Sequence, residues 1–168
     1  PNCEGASTYV RYADDTVNCF QYRREAVAFL SALKHRLAEF NLRLSESKTK
    51  LIRFSRFGEG ENKRFDFLGF EFHWDKSLKG NMVVKKRTSR KKLLMAKRNF
   101  KVWFRNNRDT KISELMETLA RKLRGYWNYY GIVGNYDSLH HYYDFVVRII
   151  YKWLNRRSGR KSYNWAGI

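Results

Sequence analysis

Polar and apolar residues are interleaved along Thr8-Tyr9-Val10-Arg11-Tyr12 and again along Thr16-Val17-Asn18-Cys19-Phe20, with Ala13-Asp14-Asp15 between them. β-branched and aromatic residues suit a pleated, half-buried surface, and Asp-Asp between two such runs is a turn signal, so the stretch predicts a β-hairpin. From Arg23 to Phe40 the period lengthens. Ala26, Phe29, Leu30, Leu33, Leu37 and Phe40 recur three and four residues apart, which predicts an amphipathic helix with Arg24, Lys34, Arg36 and Glu39 on or near its wet side. Asn41 is a natural stop. Leu42-Arg43-Leu44-Ser45 and Lys50-Leu51-Ile52-Arg53-Phe54 read as extended segments around the polar loop Glu46-Ser47-Lys48-Thr49, and Gly58 and Gly60 mark a surface turn. Phe65-Asp66-Phe67-Leu68-Gly69-Phe70-Glu71-Phe72-His73-Trp74 carries Phe at alternate positions that change phase at Leu68-Gly69. A kink or bulge within one strand is expected there, followed by a turn over 75–81 and a partner strand from Met82 to Val84.

The pattern then changes character. Lys85-Lys86-Arg87-Thr88-Ser89-Arg90-Lys91-Lys92 leads into a helix with Leu93, Ala96, Phe100, Trp103 and Phe104 on one face, broken at Asn106-Asn107-Arg108-Asp109. A second helix sets Ile112, Leu115, Met116, Leu119, Leu123, Tyr126, Trp127 and Tyr130 in register and stops at Gly131. A third places Leu139, Tyr142, Tyr143, Val146, Ile150, Trp153 and Leu154 on one side, and a basic tail with Tyr163 and Trp165 closes the chain. The expected fold is α+β: a small antiparallel sheet with a packed helix, then an all-α helical bundle beginning near residue 88.

Charge sharpens this division. Residues 1–84 hold 14 basic and 11 acidic side chains, a net of +3, whereas residues 85–168 hold 21 and 5, a net of +16. The second half is an electrostatic footprint for a polyanion. No apolar stretch approaches the roughly 20 residues of a spanning helix, so no membrane segment is expected, and no signal-peptide pattern opens the chain. Cys3 and Cys19 form no metal-spaced cluster, and His140-His141 would point to different helix faces. The chain opens on Pro1 and enters a strand almost at once, so a missing upstream portion is expected.

Adjacent carboxylates at a hairpin tip are a means of holding Mg²⁺, a hard cation taken by one or two protein carboxylates plus substrate phosphates. Phosphoryl transfer by two metals needs cations held about 3.5–4 Å apart. Asp14 and Asp15 alone are thin support, and Asp66, Glu71 and Asp75 sit in no pattern that marks a further ligand. An isolated Asp-Asp is more commonly an ordinary turn. The aromatic stripes at helical spacing read as core before they read as base-stacking platforms, while the Lys/Arg excess suits phosphate neutralisation better than a merely solvated face.

Taken together, Tyr12-Ala13-Asp14-Asp15 after Val10-Arg11 and before a helix resembles the catalytic hairpin of reverse transcriptases. Leu44-Ser45 through Lys48-Thr49, Phe65-Asp66-Phe67-Leu68-Gly69-Phe70, Gly125-Tyr126-Trp127-Asn128-Tyr129-Tyr130-Gly131 and Trp153-Leu154-Asn155-Arg156-Arg157-Ser158 are similar, in that order, to segments of the multifunctional proteins of bacterial group II introns. The resemblance covers nearly the whole chain. It implies an RNA-directed DNA polymerase in the parent protein, with residues 1–87 the C-terminal part of the palm and 88–168 the thumb, or maturase (X), domain. Asp14 and Asp15 would be catalytic and metal-binding, Lys48 would donate a proton to leaving pyrophosphate, and Leu68, Gly69 and Phe70 would support the primer terminus. Lys85, Lys86, Arg87, Arg90, Lys91, Lys92, Lys97, Arg98, Arg156, Arg157, Arg160 and Lys161 would bind nucleic acid. The implied cofactor is Mg²⁺ in a two-metal site incomplete in this piece. The implied partners are RNA template or structured intron RNA, primer DNA and dNTP, in a cytoplasmic ribonucleoprotein. The fingers, the first palm strand with the family's other metal-binding Asp, and a Gly-Pro-Gln type nucleotide pocket have no counterpart, so the isolated piece is expected to be inactive or crippled. A binding module that assists splicing without polymerising is the alternative.

Overall fold

A computed structural model describes residues 3–57 and 64–157 of the 168. The chain is α+β. Strands β1 (Ser7–Tyr12) and β2 (Asp15–Phe20) precede helix α1 (Arg23–Glu39), and strands β3 (Arg64–Phe67), β4 (Phe70–Lys76) and β5 (Met82–Thr88) precede helices α2 (Arg90–Asn106), α3 (Ile112–Tyr130) and α4 (Tyr136–Arg157). The strands form two antiparallel sheets, β1-β2 and β3-β4-β5. The Gly58–Gly60 turn and the tail beyond Arg157 lie outside the described residues.

The first hairpin and α1 form as their periodicities predict. Phe20 packs on Phe29 with ring centroids 5.2 Å apart, joining β2 to the helix. Asn41 ends the helix with φ 56°, a left-handed conformation that Asn tolerates better than most residues. Leu42–Ser45 and Lys50–Phe54 do not form strands. They run as irregular chain around a turn in which Lys48 and Thr49 donate to the carbonyl of Ser45, and their apolar residues serve side-chain packing instead. Phe54 lies edge-on to Phe65 and stacked on Trp74, covering the aromatic face of the second sheet.

The kink expected at Leu68-Gly69 is a complete reversal. Phe67 pairs with Phe70, leaving a two-residue turn with φ 49° at Leu68 and 80° at Gly69. Positive φ at both central positions is the signature of a tight hairpin turn whose twist matches its strands. A phase change in alternation is produced equally by a bulge or by a reversal, which is why the pattern alone misread it. β4 continues to Lys76 rather than turning at Asp75, and β5 runs to Thr88. The basic run is therefore divided: Lys85, Lys86 and Arg87 are strand residues, Ser89 caps α2 by accepting from the Lys92 amide, and Arg90–Lys92 form the first helical turn.

The core lies among the three later helices. Phe100 and Phe104 of α2, Leu115 and Leu119 of α3, and Tyr142 and Val146 of α4 are buried together, with Leu93, Ala96, Trp103, Tyr126 and Trp153 against them. Tyr143 and Ile112, expected on the inner faces, are exposed, and α4 begins three residues earlier than Leu139. Burial pushes the Tyr142 hydroxyl up to about 12, and burial followed by the neighbouring Tyr142 raises Tyr126 as well. A folded-state pKa above the unfolded value leaves stability intact below about pH 10 and removes it as pH climbs toward 12. Denaturation midpoints should fall over that window, and Tyr142→Phe should flatten the fall; a midpoint equally pH-sensitive in both proteins would exclude this residue as the cause.

Candidate catalytic turn and nucleic-acid interface

Tyr12 pairs with Asp15, so Ala13 and Asp14 form the tip of a two-residue turn. Ala13 holds φ 52°, a left-handed conformation that disfavours any residue with a Cβ. The Arg11 guanidinium folds over the tip and donates from Nε to the Ala13 carbonyl at 2.8 Å, fixing a backbone that would otherwise relax. Asp14 and Asp15 are both exposed, and among the described residues neither has an ion-pair partner. Uncommitted carboxylate oxygens suit a hard cation. Among the described residues no group of three or more His, Cys, Asp or Glu comes together, so the pair is a partial donor set that needs substrate phosphates or further carboxylates.

Lys48 is exposed in the turn after α1. That turn is tied to the helix by Lys34 Nζ, 3.4 Å from Glu46 Oε1, and no hydrogen bond or ion pair joins Lys48 to the acidic tip among the described residues.

The Leu68-Gly69 turn is gripped from the helical side. Tyr129 Oη donates to the Leu68 carbonyl at 2.9 Å, the Ser89 amide donates to the Gly69 carbonyl at 2.9 Å, and the Phe70 ring stacks on Tyr129 at 5.9 Å. A Cβ at position 69 would be strained by its left-handed φ and would also stand 3.1 Å from Tyr130 Oη, so the turn favours glycine. One step away, buried Asn135 accepts from the Thr88 amide at 2.7 Å and donates to Thr88 Oγ1 and to the Tyr130 carbonyl, both at 2.8 Å. The ends of β5, α3 and α4 are thereby locked together. Sequence reading missed Tyr129 and Asn135 as fastening residues; Asn135 immediately before Tyr136-Asp137 was a helix-start signal that the pattern offered.

The candidate cations divide by environment. Lys85 Nζ lies 2.8 Å from Asp75, and Arg87 donates through Nε and Nη2 to Glu71 Oε1 at 3.0 and 2.6 Å, so both have carboxylate partners within the sheet. Glu71 also faces Arg64 at 3.8 Å, and burial, then Glu71 itself, raises the carboxyl of Asp66 opposite. Lys86 is exposed. Lys97 is half-buried with its ammonium 5.5 Å over the Phe145 ring. Arg90, Lys91, Lys92 and Arg98 are exposed on α2, and Lys101 and Arg105, which sequence reading omitted, continue the stripe made by Arg90, Lys91 and Arg98. Exposed Leu94, Met95 and Val102 lie among them. Arg156 and Arg157 end α4, while Arg160 and Lys161 lie outside the described residues.

A carboxylate-tipped hairpin thus precedes a helical layer whose outer face is cationic. Residues 2–72 match the family described as reverse transcriptase (RNA-dependent DNA polymerase), and residues 93–167 match the group II intron, maturase-specific domain. The chain belongs to the group II intron-encoded reverse transcriptase/maturase family, whose members are RNA-directed DNA polymerases carrying a maturase domain. No curated protein and no solved structure matches it. Among the described residues no helix is long and apolar enough to cross a membrane.

Proposed function

We propose that residues 1–87 are the C-terminal part of a polymerase palm and residues 88–168 its thumb, acting in two-metal nucleotidyl transfer from dNTP to a DNA primer on an RNA template. The observation that carries this reading is the exposed, uncommitted Asp14–Asp15 pair on a strained turn, within the stretch that matches reverse transcriptases. Asp14 and Asp15 would hold Mg²⁺, which supplies charge neutralisation and polarises phosphoryl oxygens. Lys48 carries a proton to the leaving pyrophosphate. Leu68, Gly69 and Phe70 support the primer terminus on a turn that Tyr129 and Ser89 hold in place. The outer face of α2 neutralises duplex phosphates, and its exposed Leu94, Met95 and Val102 suit the sugar-lined, shallow minor groove of an A-form helix. The setting is a cytoplasmic ribonucleoprotein. Mg²⁺-dependent primer extension on an RNA template, by this chain joined to the fingers and first palm strand of a family member, tests the assignment; extension that persists without divalent cations would refute it.

A second reading, RNA binding that assists splicing without polymerisation, is favoured by the concentration of exposed cations on α2. It predicts that the chain alone binds duplex RNA with affinity that falls steeply with salt. With roughly five phosphates neutralised, the log–log slope should be about −4.5, and Arg98→Gln with Arg105→Gln should reduce its magnitude by about two. Anisotropy titrations from low to moderate salt read this directly, and a flat response would count against any phosphate grip on this helix.

A further inference from the structure

Where the α2–α3 connection approaches the last turns of α4, a cavity of about 630 Å³ is lined by Arg108, Asp109, Trp153, Arg156 and Arg157. We propose that this cavity is a subsite for one unpaired nucleotide of a bound RNA, its phosphate on the guanidinium groups and its base against the Trp153 indole. The proposal rests on the reading of the helical layer as an RNA-binding surface and adds to it a place where duplex geometry is interrupted.

Two observations converge. First, the charge is strongly one-sided: three guanidiniums face a single carboxylate. Asp109 Oδ2 stands 3.4 Å from Arg108 Nε and orients that side chain, while Arg156 and Arg157 have no carboxylate partner among the described residues. Guanidinium groups are the side chains best matched to phosphate oxygens, which they bind through paired N–H donors. Second, Arg156 lies 5.8 Å over the Trp153 ring, so the cationic and aromatic groups are adjacent. Base stacking on an aromatic ring requires a base free of its helix, because bases in an A-form duplex present neither face.

A simpler account, that Arg156 and Arg157 only complement the C-terminal dipole of α4, explains two of the five residues. It leaves unexplained why Arg108, supplied by a connection more than forty residues earlier in the chain, meets them across an open cavity lined by tryptophan.

The test uses the full 168-residue chain and two fluorescein-labelled RNA hairpins that differ by one bulged nucleotide in the stem. The chain should bind the bulged hairpin about tenfold more tightly than the fully paired one. Arg108→Gln combined with Arg156→Gln should abolish that preference. Lys76→Gln combined with Lys79→Gln, an equal loss of charge at the β4–β5 turn, should leave it intact. Trp153 packs partly against the core, so Trp153→Phe is the variant of choice there; it keeps a ring and should keep most of the preference, with circular dichroism verifying the fold. Equal affinity for the two hairpins, or a preference that survives the double arginine variant, would overturn the subsite while leaving duplex binding standing. Failure to bind either hairpin would overturn the RNA-binding reading and the subsite together. A free nucleoside monophosphate that bound with micromolar affinity would make the cavity a small-molecule site and overturn the RNA assignment.

Discussion

Asp14→Asn should lower primer extension on the order of 10³-fold, the several kcal/mol of charge stabilisation that a bound metal contributes to phosphoryl transfer. The substitution is isosteric and replaces a charged oxygen donor by a neutral amide, which divalent Mg²⁺ takes poorly. Asp14 is exposed, sits at the tip of a turn and has no ion-pair partner among the described residues, so the fold has nothing to lose. Thermal stability should stay within about 0.5 kcal/mol of the parent, as surface changes away from such partners do. The same substitution should leave RNA affinity unchanged, because the tip contributes no positive charge. Splicing assistance that survives loss of Asp14 and Asp15 while polymerisation disappears would separate the two activities of the family within one chain. Activity equal to that of the parent would end the catalytic assignment.

Asn135→Ala should have the largest effect on stability, about 3 kcal/mol, since it strands the buried Thr88 amide and removes both Nδ2 hydrogen bonds, to Thr88 Oγ1 and to the Tyr130 carbonyl, at once. Asn135 is 1% exposed, and water does not replace its side chain without opening the junction. Thr88→Val removes only the hydroxyl that accepts from Nδ2 and should cost about 1 kcal/mol, which makes the pair a two-step calibration of the same junction. Urea denaturation of both variants measures the difference. Equal, small losses would mean that the three element ends are held by their packing and that the polar junction is incidental. The consequence reaches the Leu68-Gly69 turn, because Tyr129 and Tyr130 precede the carbonyl that Asn135 fixes.

The elements were largely legible because each depends on neighbours close in sequence. Periods of two and of three to four marked the first hairpin, α1 and the three later helices, and Asn41 fell where a left-handed stop belongs. Two kinds of feature escaped. Leu42–Ser45 and Lys50–Phe54 have the composition of strands but run as irregular chain, with Phe54 committed to Phe65 and Trp74. The reversal at Leu68-Gly69 looked like a kink, since alternation records which face a residue occupies and not whether the chain has turned back. Gly131 does end α3, but with φ −76° rather than the left-handed geometry expected of a capping glycine; a Cβ there would meet the Trp127 carbonyl at 2.3 Å.

By itself the sequence determined the class of fold, the acidic pair at a hairpin tip and the cationic excess of the second half, because these follow from short-range periodicity and from counting charge. Only the tertiary structure decided which cations keep their charge available. Lys85 and Arg87 meet Asp75 and Glu71 across strands, Lys97 lies over Phe145, and Arg90, Lys91, Arg98, Lys101 and Arg105 share an open helix face. Partnership of that kind depends on residues ten to fifty positions apart arriving at the same place, and no local pattern along the chain encodes that meeting.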